Sequence, residues 1–588
     1  MCGIAGIVEP IKTDGLVARW NSASERLSNR GPDNASYIIR ELGSLRCLLG
    51  HRRLQIVDIT SKSDQPMSMG DLDMVFNGEV YNFRPLRRLL SDSGLGLHSE
   101  GDAEVVLASY WQKGEGCFRD FDGMWAVAFL DRKSKKLVLS RDYFGEKPLY
   151  YYFDGEIFVF ASDIIALQKM SGRELPLNQV YFHHFVRNGY APPNCCVFEG
   201  VQRLEPGQIL EFNLKSKEIT LRDTNPIFKK GVAERSSRFS IEKFEELFIT
   251  SLNDRLMADV PLGLMLSGGI DSSYVAAVAK QELACRLDCY TVRYGHGSDE
   301  ETSRAAQVAE TLGLPHTMID VEQRQLESLL DDSVPSMDEP ISDVAFPLLL
   351  RLIGAVPSKI RVLLNGDGAD ELFLSYVNYR KYLNRLDNNP TKVGYFAMEV
   401  SDVLKHLPEN FRRVWRKALA NIPMSSTQML EGDLLLQHGG WQIKRILEDN
   451  PLGDPLSVLY KQAILNNLSD YLNTKSDRAS MWNSREFRTP FLNKSLFQYV
   501  LDCNSSELPR GEKKILTKRL NDRLGKDLYF SKRGMFSRGE LAFANINISE
   551  QWATKLPKWR SPQERYRILV LTKWLEFHQS EDCVTWQH

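Results

Sequence analysis

"LMLSGGIDSS" (264–273) is the stretch that decides how the second half of this chain folds. An apolar strand runs straight into Ser267-Gly268-Gly269, and a helix follows. Two glycines let the backbone turn tightly and bring its N–H groups close to an anion at the helix N-terminus. Ser267, Ser272 and Ser273 add hydroxyl donors. Asp271 would repel a bare phosphate; it makes sense with Mg²⁺ lying between carboxylate and phosphate. An ordinary strand–turn–helix connection also favours Gly, Ser and Asp, but an SGG-apolar-D-S run behind a buried strand is more specific than a lone glycine pattern. A second loop has the same form. "VLLNGDGADELF" (362–373) is another apolar strand ending in a glycine-rich acidic turn, with Asp367, Asp370 and Glu371 where open α/β sheets bind their ligands. No Walker-type loop with its terminal Gly-Lys-Ser/Thr occurs, which argues against γ-phosphate transfer of that kind.

Outward from these loops the rhythm is regular. "SIEKFEELFITSLNDRLMADV" sets Ile241, Phe244, Phe248, Leu252 and Leu256 on one helical face, with Ser240 as N-cap. Then strands LGLMLS, LDCYTVRY, HTMIDV and RVLLNG alternate with helical stretches, the pattern of a doubly wound parallel sheet. From about residue 375 the text reads as mainly helical. The first half differs. "CGIAGIV", "LLGHRRLQIVD", "MVFNGEVYN", "WAVAFLDRK", "KLVLSRD", "PLYYYFDGEIFVFAS" and "GQILEFNL" read as strands, interrupted by two helical intervals, "GLVARWNSASERL" and "AEVVLASYWQKG". This is an α+β pattern with much antiparallel sheet. The polar stretch 213–239 reads as a linker, giving domains at 1–212 and 240–588.

Composition narrows the function classes. With 588 residues the chain is too long for one core. A net charge of -2 argues against bulk nucleic-acid binding and against a basic membrane face. No apolar run is long enough to span a bilayer, and the start has no basic region ahead of Glu9-Pro10, so a cytoplasmic location is expected. Cys285 with Cys289, and Cys195 with Cys196, lack the second half of a zinc pattern and read as packing residues.

The chain opens "MCGIAGIVEP". Removal of Met1 would leave Cys2 with both a thiol and a free α-amino group, of ordinary pKa about 8.5 and about 8. The amine could then take the thiol's proton without a histidine. A small core cysteine on a first strand is the plainer alternative for these ten residues.

Taken together, the motifs resemble the glutamine-hydrolysing asparagine synthetase family from end to end. The N-terminal half is similar to class II, N-terminal-nucleophile glutaminases in "MCGIAG", "RGPD" (30–33), "GHRRLQIVD" (50–58), "FNGEVYN" (76–82), "GDAEVVL" (101–107), "DGMWAVAFLD" (122–131) and "RDYFGEKPLYY" (141–151). The C-terminal half is similar to ATP pyrophosphatases, which cleave between the α and β phosphates, in the SGGIDS loop, "NGDGADELF", "DRASMWNSREFRTPFL" (477–492) and "KRGMFS" (532–537). The resemblance implies that Cys2 attacks the glutamine amide and that Asn77 and the Gly78 N–H stabilise the oxyanion. It implies Arg53 on the glutamine α-carboxylate, and Glu79 and Asp102 on its α-ammonium. It further implies ATP held by Leu266, Ser267, Gly268, Gly269, Asp271, Ser272, Val292, Gly366 and Asp367, Mg²⁺ on Asp271 and Asp370, and Lys532 on the phosphates. The implied reaction makes an acyl-AMP and pyrophosphate from a carboxylate, by default aspartate. Ammonia passed from the glutaminase then displaces AMP, and relatives imply a homodimer.

The chain departs from the family pattern at Leu374-Ser375, where two glycines are usual, at Asn365 for serine, at Asn493 for aspartate and at Tyr143-Phe144 in the "RDRxG" motif. These departures leave open a different acceptor, such as a sugar acid or another biosynthetic carboxylate.

Overall fold

The computed structural model describes residues 2–189, 195–228, 238–294, 300–376, 460–503, 513–525 and 561–578, with Tyr379, Phe543, Ile546 and Ile548. In the first half, two six-stranded sheets lie face to face. One runs β10 (Gln202–Arg203), β8 (Tyr150–Phe153), β9 (Phe158–Ala161), β1 (Gly3–Pro10), β3 (Leu45–Arg53), β2 (Asn34–Leu42). The other runs β12 (Ile219–Asp223), β11 (Gln208–Asn213), β7 (Lys136–Arg141), β6 (Gly123–Asp131), β5 (Leu72–Val80), β4 (Met67–Met69). All pairings within them are antiparallel.

Side-chain alternation explains why the central strands read as continuous apolar runs. Successive strand residues point to opposite faces. On β6, Ala126, Ala128 and Leu130 enter the core between the sheets, with Ile4, Val8, Leu49 and Phe160. Trp125, Val127 and Phe129 face the other way and pack under the helices Phe83–Asp92 and Ala103–Lys113. On β1, Ala5 and Ile7 pack against the helices Leu16–Arg26 and Ile164–Ser171. The central strands of both sheets are thus buried on both faces, and the edge strands β2 and β12 are half-exposed.

The expected α+β class is observed, with two differences. Three further helices form, Phe83–Asp92, Ile164–Ser171 and Gln179–Asn188. The first is hidden in the sequence by its charge, the second by its shortness behind the strand run "GEIFVFAS". The expected linker at 213–239 is also shorter: Ile219–Asp223 pairs with β11 as the edge strand β12. Its alternating β-branched and polar letters are the signal of a half-exposed strand.

The second half carries a parallel sheet ordered β15 (His316–Val321), β14 (Asp288–Tyr294), β13 (Leu262–Met265), β16 (Val362–Leu364), β17 (Glu486–Arg488). The strand order reverses between β13 and β16, so the SGGIDS and NGDGADE loops leave the sheet on either side of the switch point. Such a crevice is the usual ligand site of an open α/β sheet. The strand β17 interrupts the C-terminal region that the sequence reads as mainly helical. It is too short for a periodicity signal, and tertiary pairing with β16 alone makes it a strand.

That late strand also joins the halves. Arg488, fully buried, donates to the carbonyls of Arg255 (3.0 Å) and Met257 (2.6 Å), to Glu486 Oε1 (2.6 Å) and across the domain boundary to Glu79 Oε2 (3.3 Å). Arg30 reaches the other way, with Nη1 and Nη2 at 2.7 and 3.0 Å from the Asp477 carboxylate. Arg478 is bidentate on Asp338, both contacts at 2.6 Å. Removing one partner of a buried ion pair costs about 3–5 kcal/mol, because the other charge is stranded. Arg488→Met should therefore lower the thermal midpoint by several degrees. Lys243→Ala, which breaks the exposed Lys243–Glu246 pair (3.0 Å), should leave it unchanged. Differential scanning fluorimetry of the two variants checks this.

Candidate active sites in the two halves

Cys2 sits at the start of β1, buried at 8% exposure. Its backbone nitrogen donates to Asn77 Oδ1 (2.9 Å), and its carbonyl accepts from Arg30 Nε (3.2 Å). Burial pushes the thiol pKa up, while the N-terminal positive charge and Arg53 work against that rise. Asn77 is fully buried on β5, and its Nδ2 has no partner among the described residues. An amide held by its oxygen, with its N–H₂ left open beside a thiol, is a donor ready for a developing oxyanion. Gly78 follows on the same strand, opposite Trp125.

Glu79 and Asp102 are brought together. Asp102 immediately precedes the helix Ala103–Lys113, and its carboxylate, instead of capping that helix, accepts from the Val80 N–H (2.8 Å). Burial raises its pKa to about 6. Burial and the neighbouring Asp102 charge raise that of Glu79, despite Arg488. Glu79 Oε1 is buried with no hydrogen-bond partner among the described residues. Two close carboxylates with a spare oxygen form a receptor for a small cation. Arg53 lies near Cys2 on β3, but its guanidinium is spent on a loop. It donates to Thr60 O (2.7 Å), Asp64 Oδ1 (2.6 Å) and Asp58 O.

In the second half, a cavity of about 410 Å³ opens at the switch point. Leu266, Ser267, Asp271, Ser272, Val292, Gly366, Asp367 and Asp370 all line it. Gly268 and Gly269 stand behind it. Gly268 has φ +78°, and a Cβ there would meet Glu301 O at 2.0 Å, so this turn admits only glycine. Gly366 is required for a different reason. A Cβ would stand 2.8 Å from both Asp271 Cβ and Ser272 N, so its absence lets the two loops touch. Lys532 lies outside the described residues.

The floor of the cavity is acidic. Asp367 accepts from Asn365 Nδ2 (2.9 Å) and Ser476 Oγ (3.0 Å). Burial raises the pKa of Asp271 to about 6, with Lys513 opposing and Asp370 adding to the rise. Glu371 is pushed to about 8 by burial and by Asp370; Tyr376 O–H donates to it at 2.9 Å. The cations are Lys475, 2.7 Å from Asp343, and Lys513, between Asp271 and Asp370. Lys475, Ser476 and Lys513 escaped the sequence reading. Among so many lysines and serines nothing local marks them, and only the fold brings them to the cavity.

The departures can now be placed. Leu374 adopts φ +49° and turns fully buried into the core. Ser375 donates its hydroxyl to Asp370 Oδ1. Asn493 caps the helix Lys494–Asp502, accepting from Leu496 N (2.9 Å), and its Nδ2 donates to Asp122 Oδ2 (2.6 Å) in the first domain. Tyr143 packs edge-on against Trp125 and Phe144 against Phe497. Of the five side chains besides Asn365, none lines the cavity.

A model of the glutamine amidotransferase domain matches residues 1–223, and a model of asparagine synthase matches residues 243–573. A protein of Methanocaldococcus jannaschii provisionally named glutamine-hydrolysing asparagine synthetase 2 is 28% identical over 522 residues, covering 82% of this chain and 98% of its own. Asparagine synthetase 1 of Bacillus subtilis is 27% identical over 523 residues, covering 84% of this chain and 80% of its own. Asparagine synthetase 3 of Arabidopsis thaliana is 30% identical over 408 residues, covering 66% and 62%. The chain therefore belongs to the asparagine synthase family, as a carbon–nitrogen ligase with a glutamine amidotransferase domain at its start.

Proposed function

We propose that this enzyme is a glutamine-dependent asparagine synthetase, with aspartate as the acceptor carboxylate. The observation that carries the acceptor is the placement of the departures. Leu374, Ser375 and Asn493 lie off the cavity wall; of the departures Asn365 lines it, and its amide is engaged with Asp367 at 2.9 Å, which supports an unchanged acceptor. A homodimer in the cytoplasm is the expected setting.

In the first half, Cys2 attacks the glutamine side-chain amide once its own α-amino group is free. The thiolate adds to the carbonyl carbon, and the oxyanion is met by Asn77 Nδ2 and the Gly78 N–H. Ammonia leaves, and water releases glutamate from the thioester. Glu79 and Asp102 hold the substrate ammonium, a role supported by their raised pKa values and the spare Glu79 oxygen. Arg53 serves the α-carboxylate only by giving up part of its hold on the 58–64 loop.

In the second half, ATP lies along the ends of β13 and β16, with its adenosine by Val292 and its phosphates by Ser267 and Ser272. The acceptor carboxylate attacks the α-phosphorus and pyrophosphate departs. Ammonia passed internally then attacks the acyl-AMP carbonyl, giving the amide and AMP. Lys532 is the proposed cation for the departing phosphates. Asp271 and Asp370 fit a magnesium ion by their chemistry: two carboxylates at a phosphate site, with Asp271 Oδ1 buried and without a hydrogen-bond partner among the described residues. Such an ion, when bound, would neutralise charge on the phosphates.

Cys2→Ala should abolish glutamine hydrolysis yet leave amide synthesis from an added ammonium salt; loss of both would sink the division of labour. Asp102 must be ionised to hold an ammonium. The KM for glutamine should accordingly rise as pH falls below about 6, by up to about tenfold per unit, and Asp102→Asn should lack this inflection. Glutaminase kinetics across that range decide it. With saturating aspartate, ATP and glutamine, asparagine, AMP and pyrophosphate should form in equal amounts, and Asp271→Asn should suppress them while glutaminase survives. Glutaminase activity without asparagine would point to the other acceptors.

A further inference from the structure

Lys513 immediately precedes the helix Lys514–Leu524 and is only 7% exposed. Its Nζ lies 2.5 Å from Asp271 Oδ2 and 2.8 Å from Asp370 Oδ1. The helix is well anchored. Leu516, Leu520 and Leu524 are buried, Gln281 Nε2 donates to Arg523 O (2.7 Å), and Arg523 pairs with Glu282 and Glu245. The lysine is therefore delivered by a packed element that also grips the Asp271-bearing helix. Ser375 donates its hydroxyl to the same Asp370 oxygen that Lys513 meets, Oδ1. In the family pattern a glycine stands there, so this contact is a property of this chain.

An ammonium and a divalent ion on the same two carboxylates would repel each other strongly at such separations. Metal can join this pair only if Nζ leaves it. The negative charge that would draw Nζ away arrives with the nucleotide's phosphates, in the cavity those carboxylates line. We propose that Lys513 is the resident counter-cation of Asp271 and Asp370 and closes the pair to a free divalent ion, so that metal enters only together with the nucleotide. The inference rests on the reading of Asp271 and Asp370 as the metal-bearing carboxylates.

Mn²⁺ titrations of the full chain followed by electron paramagnetic resonance test it, with and without α,β-methylene-ATP. Without nucleotide, Lys513→Met should bind Mn²⁺ about tenfold or more tightly than wild type, and Lys513→Arg should resemble wild type. Adding Asp370→Asn to Lys513→Met should erase the gain. Glutamine hydrolysis, carried out in the other domain, reports that each variant is folded. No gain in Lys513→Met, with normal Mn²⁺ binding in the presence of nucleotide, overturns the latch alone. Nucleotide-dependent Mn²⁺ binding indifferent to both Asp271→Asn and Asp370→Asn overturns the metal assignment and the latch with it.

Discussion

Buried charge between the two halves is the constraint around which this molecule is built. Arg30, Arg478 and Arg488 are each shut away from water: Arg30 meets Asp477 and Arg488 meets Glu79 across the boundary, while Arg478 is neutralised by Asp338 within the second half and crosses by donating to Tyr150 Oη (2.8 Å). Such pairs add little stability over apolar packing, but breaking one is costly. They act chiefly as registration marks, since a guanidinium fork accepts a carboxylate in few orientations. Asp477 illustrates the strength of the environment. Burial alone would raise its pKa, yet Arg30 and Arg478 hold it at about 2. It stays ionised at any pH the enzyme meets.

The same marks bring the two chemistries side by side. The helix Thr474–Trp482 presents Ser476 to Asp367 in the nucleotide cavity and, one residue later, Asp477 to Arg30, which holds the Cys2 carbonyl. Consecutive helical residues point about 100° apart, so one turn of helix faces both sites. On β17, alternation does similar work: Phe487 lines the cavity, while Glu486 and Arg488 turn toward the glutaminase.

Most of the architecture was legible because its signals are local. Gly-rich turns behind apolar strands, and the contrast between alternating and helical periods, identify the switch-point loops and the two fold classes. Asp271 and Asp370 were marked by their glycine-rich turns behind apolar strands, whereas Glu79 and Asp102 were singled out only by resemblance, since an isolated carboxylate looks the same whether buried or solvated. Lys475, Ser476, Lys513 and Arg488 were not legible at all. Each reaches its site across more than a hundred residues of sequence, through pairings that no window of the chain contains. The place of Leu374-Ser375 was left open by the sequence for a related reason. A left-handed backbone at Leu374 turns its side chain into the core, and that could not be foreseen from the letters.

The lateness of β17 has a consequence for how the protein comes into being on the ribosome. Domains fold as they emerge, the N-terminal one first. The glutaminase sheets are complete once Asp223 has been made, but Arg488 and Asp477, the partners of Glu79 and Arg30, are synthesised more than 250 residues later. Until then Glu79 and Asp102 lack Arg488 as a basic neighbour, and Arg30 lacks Asp477. The charge balance of the first half is therefore completed only when the second half has been made.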